Sequence, residues 1–150
     1  MSGIVVKFHE NQQIDDELLM FAVIMANYEN KWIFCRHQDR DTLEIPGGHR
    51  EAGESIDQTA ERELVEETGA AHFIILPVCV YSVTQGENTT YGKLFFAEIS
   101  QLNPLSYKHE IAEIFLMDYI PEKLTYPLIQ PFLYEKTRMW LGLKSEGSIE

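Results

Sequence analysis

The chain is expected to fold as an α+β domain, with strand pairs interrupted by one helix and closed by another. Two sets of short runs rich in Val, Ile, Phe and Tyr lie between turn residues, one before and one after residues 57–68. Residues 57–68 themselves are mostly good helix formers. An apolar-periodic stretch, 127–141, follows the last strand-like run. At 150 residues with 45% apolar content, one domain over 1–150 with a real core is expected.

In order, residues 4–8 read as a short strand and His9–Glu17 as a polar connector. Leu18–Tyr28 is a strand, Glu29-Asn30 the turn, and Lys31–His37 the return strand. Gln38–Thr42 is a polar loop and Leu43–Ile45 a short strand. Pro46-Gly47-Gly48 cannot continue that strand, so a turn is expected there. Ser55 and Asp57 are both candidate N-caps for a helix over about Asp57 to Thr68, with Gly69 as its C-terminal cap. Phe73–Thr84 and Thr90–Ile99 are strands joined around Gly86, and Pro77 places the first at an edge or a bulge. After a loop at Gln101–Tyr107 come a strand, Ile111–Tyr119, and a turn, Pro121–Lys123. In the closing helix expected over Pro127–Leu141, Leu128, Phe132, Leu133 and Trp140 form the apolar side. Pro131 falls in its first turn, where proline is tolerated. Lys144–Glu150 are expected to fray.

The net charge of −12 argues against a chain that grips nucleic acid through its phosphates. It leaves a phosphate substrate open, because a bound metal ion can reverse the local field. Cys35 and Cys79 lie in apolar strand-like runs without any CxxC spacing, and they read as buried free thiols. The N-terminus lacks a basic region and a cleavage site, and Leu18–Ala26 is too short to span a bilayer. A cytoplasmic protein is expected, and nothing in the sequence points to an oligomeric state.

The helix over 57–68 carries its own tension. At 100° per residue, Glu63, Glu66 and Glu67 share one face. Like charges at i,i+3 and i,i+4 repel by roughly 0.2–0.5 kcal/mol per pair. Glu66 and Glu67 also occupy the last turn, where the helix dipole disfavours anions. A bound divalent cation removes both objections. Taken alone, such a run reads first as a solvated acidic face.

Its surroundings decide between the two. Gly48 is followed after five residues by Glu54, and after seven more by Arg62-Glu63-Leu64, then Glu66-Glu67, Gly69 and Ala70. This fills every fixed position of the Nudix box, GX5EX7REUXEEXGU with U apolar, and Leu43–Gly48 resembles the family's usual approach to it. The resemblance implies the Nudix fold, an α/β/α sandwich around a mixed β-sheet. It implies Mg²⁺, with Mn²⁺ as the alternative, in keeping with hard oxygen ligands. Carried over position by position, Glu66 and Glu67 are the principal ligands, and Glu63 is a ligand or the base that activates water. Gly47 contributes its carbonyl to the metal, while Glu54 and Arg62 form a supporting pair in which Arg62 orients the catalytic carboxylates.

Outside the box the family often supplies one more carboxylate. Glu110 is the candidate, with Glu113, Glu98 and Glu87 as competitors. Arg36, His37 and Arg40 read as phosphate contacts or as a solvated loop. HQDRDTLEIPGG together with YGKLFFAEI resembles the MutT/YtkD-like branch. That branch implies hydrolysis of a nucleoside triphosphate, oxidised guanine nucleotides of the 8-oxo-dGTP kind included, to a nucleoside monophosphate and pyrophosphate. The base is expected against Leu43, Phe73 or Tyr81, with Tyr126 or Asn88 for polar contacts. Two alternatives stand: an RNA 5′-pyrophosphohydrolase, which the net charge of −12 disfavours and which a basic patch around Arg36, Lys93 and Lys108 would favour, and a non-catalytic nucleotide-binding Nudix module. The expected partner is a small-molecule nucleotide, with no membrane and no nucleic acid other than an RNA 5′ end.

Overall fold

The computed structural model describes residues 3–10, 13–105 and 110–142, so Lys108 and the expected frayed tail lie outside it. Its elements are β1 (Ile4–His9), β2 (Leu19–Tyr28), β3 (Lys31–His37), β4 (Gly47–His49), α1 (Ile56–Thr68), β5 (Ala70–Gln85), β6 (Asn88–Leu102), β7 (Ile111–Met117) and α2 (Gln130–Trp140). The strands form one sheet in the order β1-β5-β6-β2-β3-β7, with β4 paired to β2 off that path. The β2–β6 pairing is parallel and the others are antiparallel, so the sheet is mixed.

Alternation along the central strands builds two cores. Ala22, Ile24 and Ala26 of β2, with Phe95, Ala97 and Ile99 of β6, pack with Ile56, Ala60 and Leu64 of α1. Met25 and Leu94 point to the other face and pack with Trp32, Phe34, Leu133 and Tyr134. The result is a helix on each face of a mixed sheet. Small residues at 22, 26, 60 and 97 are all fully buried, leaving room for α1 to lie close to the sheet.

One irregularity makes room for the site. β2 and β3 pair only at Asn27–Trp32 and Tyr28–Lys31, then diverge. The segment 43–49 fills the gap, bonding to β3 through a Cys35–Glu44 bridge and to β2 through β4. The expected turn at Gly47-Gly48 is therefore a strand, and the expected strand at Leu43–Ile45 is only a pair of isolated bridges. Glycine is required at 47 because of proximity: a Cβ there would stand 2.4 Å from the Ala22 carbonyl oxygen.

Other boundaries shift for local reasons. α1 starts after Ser55, which forms a capping box with Gln58, so Ser55 rather than Asp57 is the cap. Gly69 closes the helix with φ 82°. β1 pairs only with Val80–Gln85, which leaves Pro77 on the free half of β5 beside a register shift, both edge and bulge. β7 ends at Met117, two residues early. α2 begins at Gln130, and its buried stripe is Gln130, Leu133, Tyr134 and Thr137. Of the expected apolar side only Leu133 faces inward; Leu128, Phe132 and Trp140 are 58%, 54% and 40% exposed. Both cysteines are free and buried.

Candidate active site

α1, β4 and the end of β3 enclose a cleft of about 460 Å³. Glu63, Glu66 and Glu67 line it from the helix, Gly47, Gly48 and His49 from β4, and Glu110 from the chain just before β7. A backbone bond from Gln38 N–H to the Glu110 carbonyl, 2.9 Å, ties that segment to the end of β3. Of the other candidate carboxylates, Glu113 is paired with Arg36 (3.1 Å), and neither Glu98 nor Glu87 lines the cleft.

Arg62 organises one wall. Its Nε and Nη2 donate to both oxygens of Glu54, at 2.5 and 3.1 Å, and Nη2 also donates to the His49 carbonyl at 3.0 Å. Its Nη1 donates to Glu63 at 3.0 Å and to Glu66 at 3.4 Å. Glu54 does not line the cleft. It stands behind Arg62, where Thr59 Oγ1 (2.8 Å) and the Glu51 N–H (3.0 Å) also donate to it. The Arg62 guanidinium, then these bonds, hold its carboxyl down at about 2.

On the opposite wall burial and like charge outweigh the cations at hand, although His37 Nε2 stands 3.8 Å from Glu67. Burial pushes Glu67 up to about 8; a bond from the Gly47 N–H (2.9 Å) opposes this, and the charges of Glu63, Glu44 and Glu110 add to it. Burial likewise pushes Glu63 up to about 7 against the pull of Arg62. Gly48 completes this packing, since a Cβ there would lie 2.2–2.8 Å from the Glu63 carboxyl group.

Glu44 was not singled out from sequence. It is 7% exposed, faces the cleft, and bonds Arg40 at 2.9 Å and His37 at 3.1 Å. Tyr126 lines the same rim beside Arg40. A polar residue between the core residues Leu43 and Ile45 was the available signal. His37, Arg40 and Tyr126 thus line the rim of the cleft, whereas Arg36 turns to Glu113 and the Arg40 carbonyl. His49 packs edge-on against Phe21.

Beside the cleft lies a second, apolar cavity of about 200 Å³ that shares Gly48 and Tyr126 with it. Tyr81 lines this cavity as expected for a base wall. Leu43 and Phe73 pack against the two cores instead, and Asn88 sits exposed at the start of β6.

A NUDIX domain family model matches residues 18–129. The chain belongs to the Nudix family. It is a Nudix hydrolase, an enzyme of the pyrophosphatase kind. A Bacillus subtilis (strain 168) protein provisionally named 8-oxo-dGTP diphosphatase YtkD is 28% identical over 121 residues, covering 81% of this chain and 76% of that one. A Bacillus subtilis ADP-ribose pyrophosphatase is 33% identical over 96 residues, 61% of this chain and 51% of the relative. The structure of a mutant of the Bacillus subtilis pyrophosphohydrolase BsRppH has a TM-score of 0.73 at 23% identity, covering 99% of this chain and 94% of that one. At that identity the likeness is one of fold.

Nudix hydrolases use divalent metal ions. The donor chemistry here fits one: hard carboxylate groups crowded together, two of which, Glu63 and Glu67, resist ionisation because burial and like charge outweigh their partners. Among the described residues no three such side chains converge on a point. Arg62 holds Glu63 and Glu66, and the Gly47 N–H holds Glu67. No helix among the described residues is long and apolar enough to cross a membrane.

Proposed function

We propose that the protein is a Mg²⁺-dependent diphosphatase of nucleoside triphosphates, cleaving them to a nucleoside monophosphate and pyrophosphate. A complete box of carboxylates opening beside an apolar cavity supports this: the cleft suits a polyphosphate chain and the cavity suits a base. The 28% relative named for 8-oxo-dGTP makes an oxidised guanine nucleotide the first substrate to try.

Glu66 and Glu67 hold the ion, with Glu110 and the Gly47 carbonyl completing the protein donors. When bound, the ion polarises the phosphate oxygens and lowers the pKa of the attacking water. Glu63 serves as a further ligand or as the acceptor of that water's proton. Arg62, anchored on Glu54, keeps Glu63 and Glu66 turned toward the cleft. Arg40 and His37, at the rim, meet the outer phosphates. Two free buried thiols accord with a reducing, cytoplasmic setting.

A hydrolysis panel in Mg²⁺ or Mn²⁺ with identified products tests this reading. It covers 8-oxo-dGTP, the ordinary deoxynucleoside triphosphates, ADP-ribose, dinucleoside polyphosphates and a 5′-triphosphate RNA. Monophosphate and pyrophosphate from the triphosphates are expected. Preference for ADP-ribose or RNA would keep the chemistry and replace the substrate. Binding without turnover would point to a ligand-binding module.

A further inference from the structure

Glu44 is a buried carboxylate that the proposed chemistry does not use, and on charge alone it stands in the wrong place. Glu51, Glu63, Glu66, Glu67 and Glu110 already line the same cleft, and a polyphosphate brings further negative charge to it. The backbone of Glu44 is fixed from both sides. It exchanges two bonds with Cys35 of β3, at 2.8 and 2.9 Å. The neighbouring Leu43 donates to the Lys123 carbonyl at 2.8 Å and accepts from the Thr125 N–H at 2.9 Å. From this frame the two carboxylate oxygens are divided: Oε1 accepts from Arg40 Nη1 at 2.9 Å, and Oε2 lies 3.1 Å from His37 Nε2. Arg40 is the freer partner, its side chain 43% exposed against 9% for that of Glu44, on the turn that leaves β3. The fixed carboxylate therefore sets the place of the movable cation, and not the reverse. Arg62, the other arginine lining the cleft, is taken up by Glu54, Glu63 and Glu66. Arg40 and His37 line both the cleft and a neighbouring recess of about 250 Å³ that shares Glu110 with it.

We infer that Glu44 is a positioning residue: from a fixed backbone it holds Arg40 by one carboxylate oxygen and His37 by the other, and so presents both at the rim where the outer phosphates of the substrate lie. This rests on the proposed reading of that rim as the phosphate end of the cleft. Arg40, bound to Glu44 through Nη1, keeps further N–H donors for phosphate oxygens. A guanidinium already held in place loses less freedom on binding than a free one. The sign of the effect separates positioning from charge. Removing a negative charge beside a polyanion strengthens its binding, whereas releasing the two rim residues weakens it.

The test is calorimetric binding of inorganic pyrophosphate and of dGMP to the whole protein in Mg²⁺, alongside kcat and KM for dGTP. Glu44→Gln keeps the shape of the side chain and one acceptor oxygen, removes the charge, and sets an amide N–H against one of the two rim residues. It is expected to weaken pyrophosphate binding and raise KM by roughly tenfold, with kcat and dGMP binding within about twofold of wild type. A structural role alone would impair all four together. In an Arg40→Ala/His37→Ala protein, where pyrophosphate binding should already be weakened, Glu44→Gln should add no further loss. Unchanged or tighter pyrophosphate binding by Glu44→Gln, where Arg40→Ala/His37→Ala weakens it, would overturn the inference and leave the rim reading standing. Unchanged binding in Arg40→Ala/His37→Ala, or none by the wild type at millimolar concentration, would overturn both. If Glu44→Gln does not fold, Glu44→Asp, which keeps the charge on a shorter side chain, is read in its place. Failure of both to fold would mark Glu44 as structural and overturn the inference as well. The expected pyrophosphate pattern in a protein that leaves dGTP intact would support the inference and sink the proposed function.

Discussion

Glu54 and Glu67 are two carboxylates of one site, and their surroundings treat them oppositely. Glu54 receives both arms of Arg62, a threonine hydroxyl and a backbone N–H, and its carboxyl is held down at about 2. Glu67 receives one backbone N–H, is buried beside Glu63 and Glu44, and is pushed up to about 8. Glu54 has its charge fully used within the fold, as a structural anchor does. Glu67 has a charge that the protein alone does not neutralise, as a ligand for a cation does.

Substitutions separate the two roles. Glu67→Gln should lower kcat by about 100-fold or more, beyond what supporting residues usually cost. It should leave the metal-free melting temperature unchanged or higher, because a buried like charge is gone. A lower melting temperature in EDTA would break the comparison. Gly48→Ala should act next, since the new methyl collides with the movable end of Glu63 rather than with backbone. A folded protein with kcat reduced by up to about 100-fold is expected, read by circular dichroism and steady-state rates. Glu54→Gln should cost about tenfold in activity and, unlike Glu67→Gln, should lower the melting temperature.

Much of this comparison was legible in the sequence, because the box is local. Glu63, Glu66 and Glu67 sit at helical spacing, so their facing one cleft follows from 3.6 residues per turn, and Glu110 lines the same cleft from just before β7. What failed depended on tertiary contact. Gly47-Gly48 read as a turn, but the residues are glycines because Ala22 and Glu63 crowd them within a strand. Glu44 and Gln130 face the site from segments that are polar at a single position, a weak signal alone. α2 misled because apolar residues occur around most of its circumference. The inward stripe, 130, 133, 134 and 137, includes a glutamine and a threonine, while Phe132 and Trp140 face outward.

The two carboxylates also differ in the pH dependence they give the protein in the absence of metal. Glu63 and Glu67 have folded pKa values above the unfolded value, so the stability they contribute is present below about pH 4.5 and is lost as pH rises through 7 to 8. Glu54 has the opposite sign: its contribution is present above about pH 4.5 and is lost as pH falls toward 2. Denaturant titrations in EDTA should show unfolding free energy falling by several kcal/mol from pH 5 to 8.5, with Glu67 contributing the larger share. Glu67→Gln should flatten most of that fall, and Glu54→Gln should leave it in place.

The most direct measurement is the melting temperature of wild type and Glu67→Gln at pH 8 with and without Mn²⁺. At about a hundredfold excess over Kd, the wild type should gain roughly 5–10 °C. Glu67→Gln should gain little. Equal gains in both proteins would show that Glu67 does not hold the ion, and would contradict the account of the site.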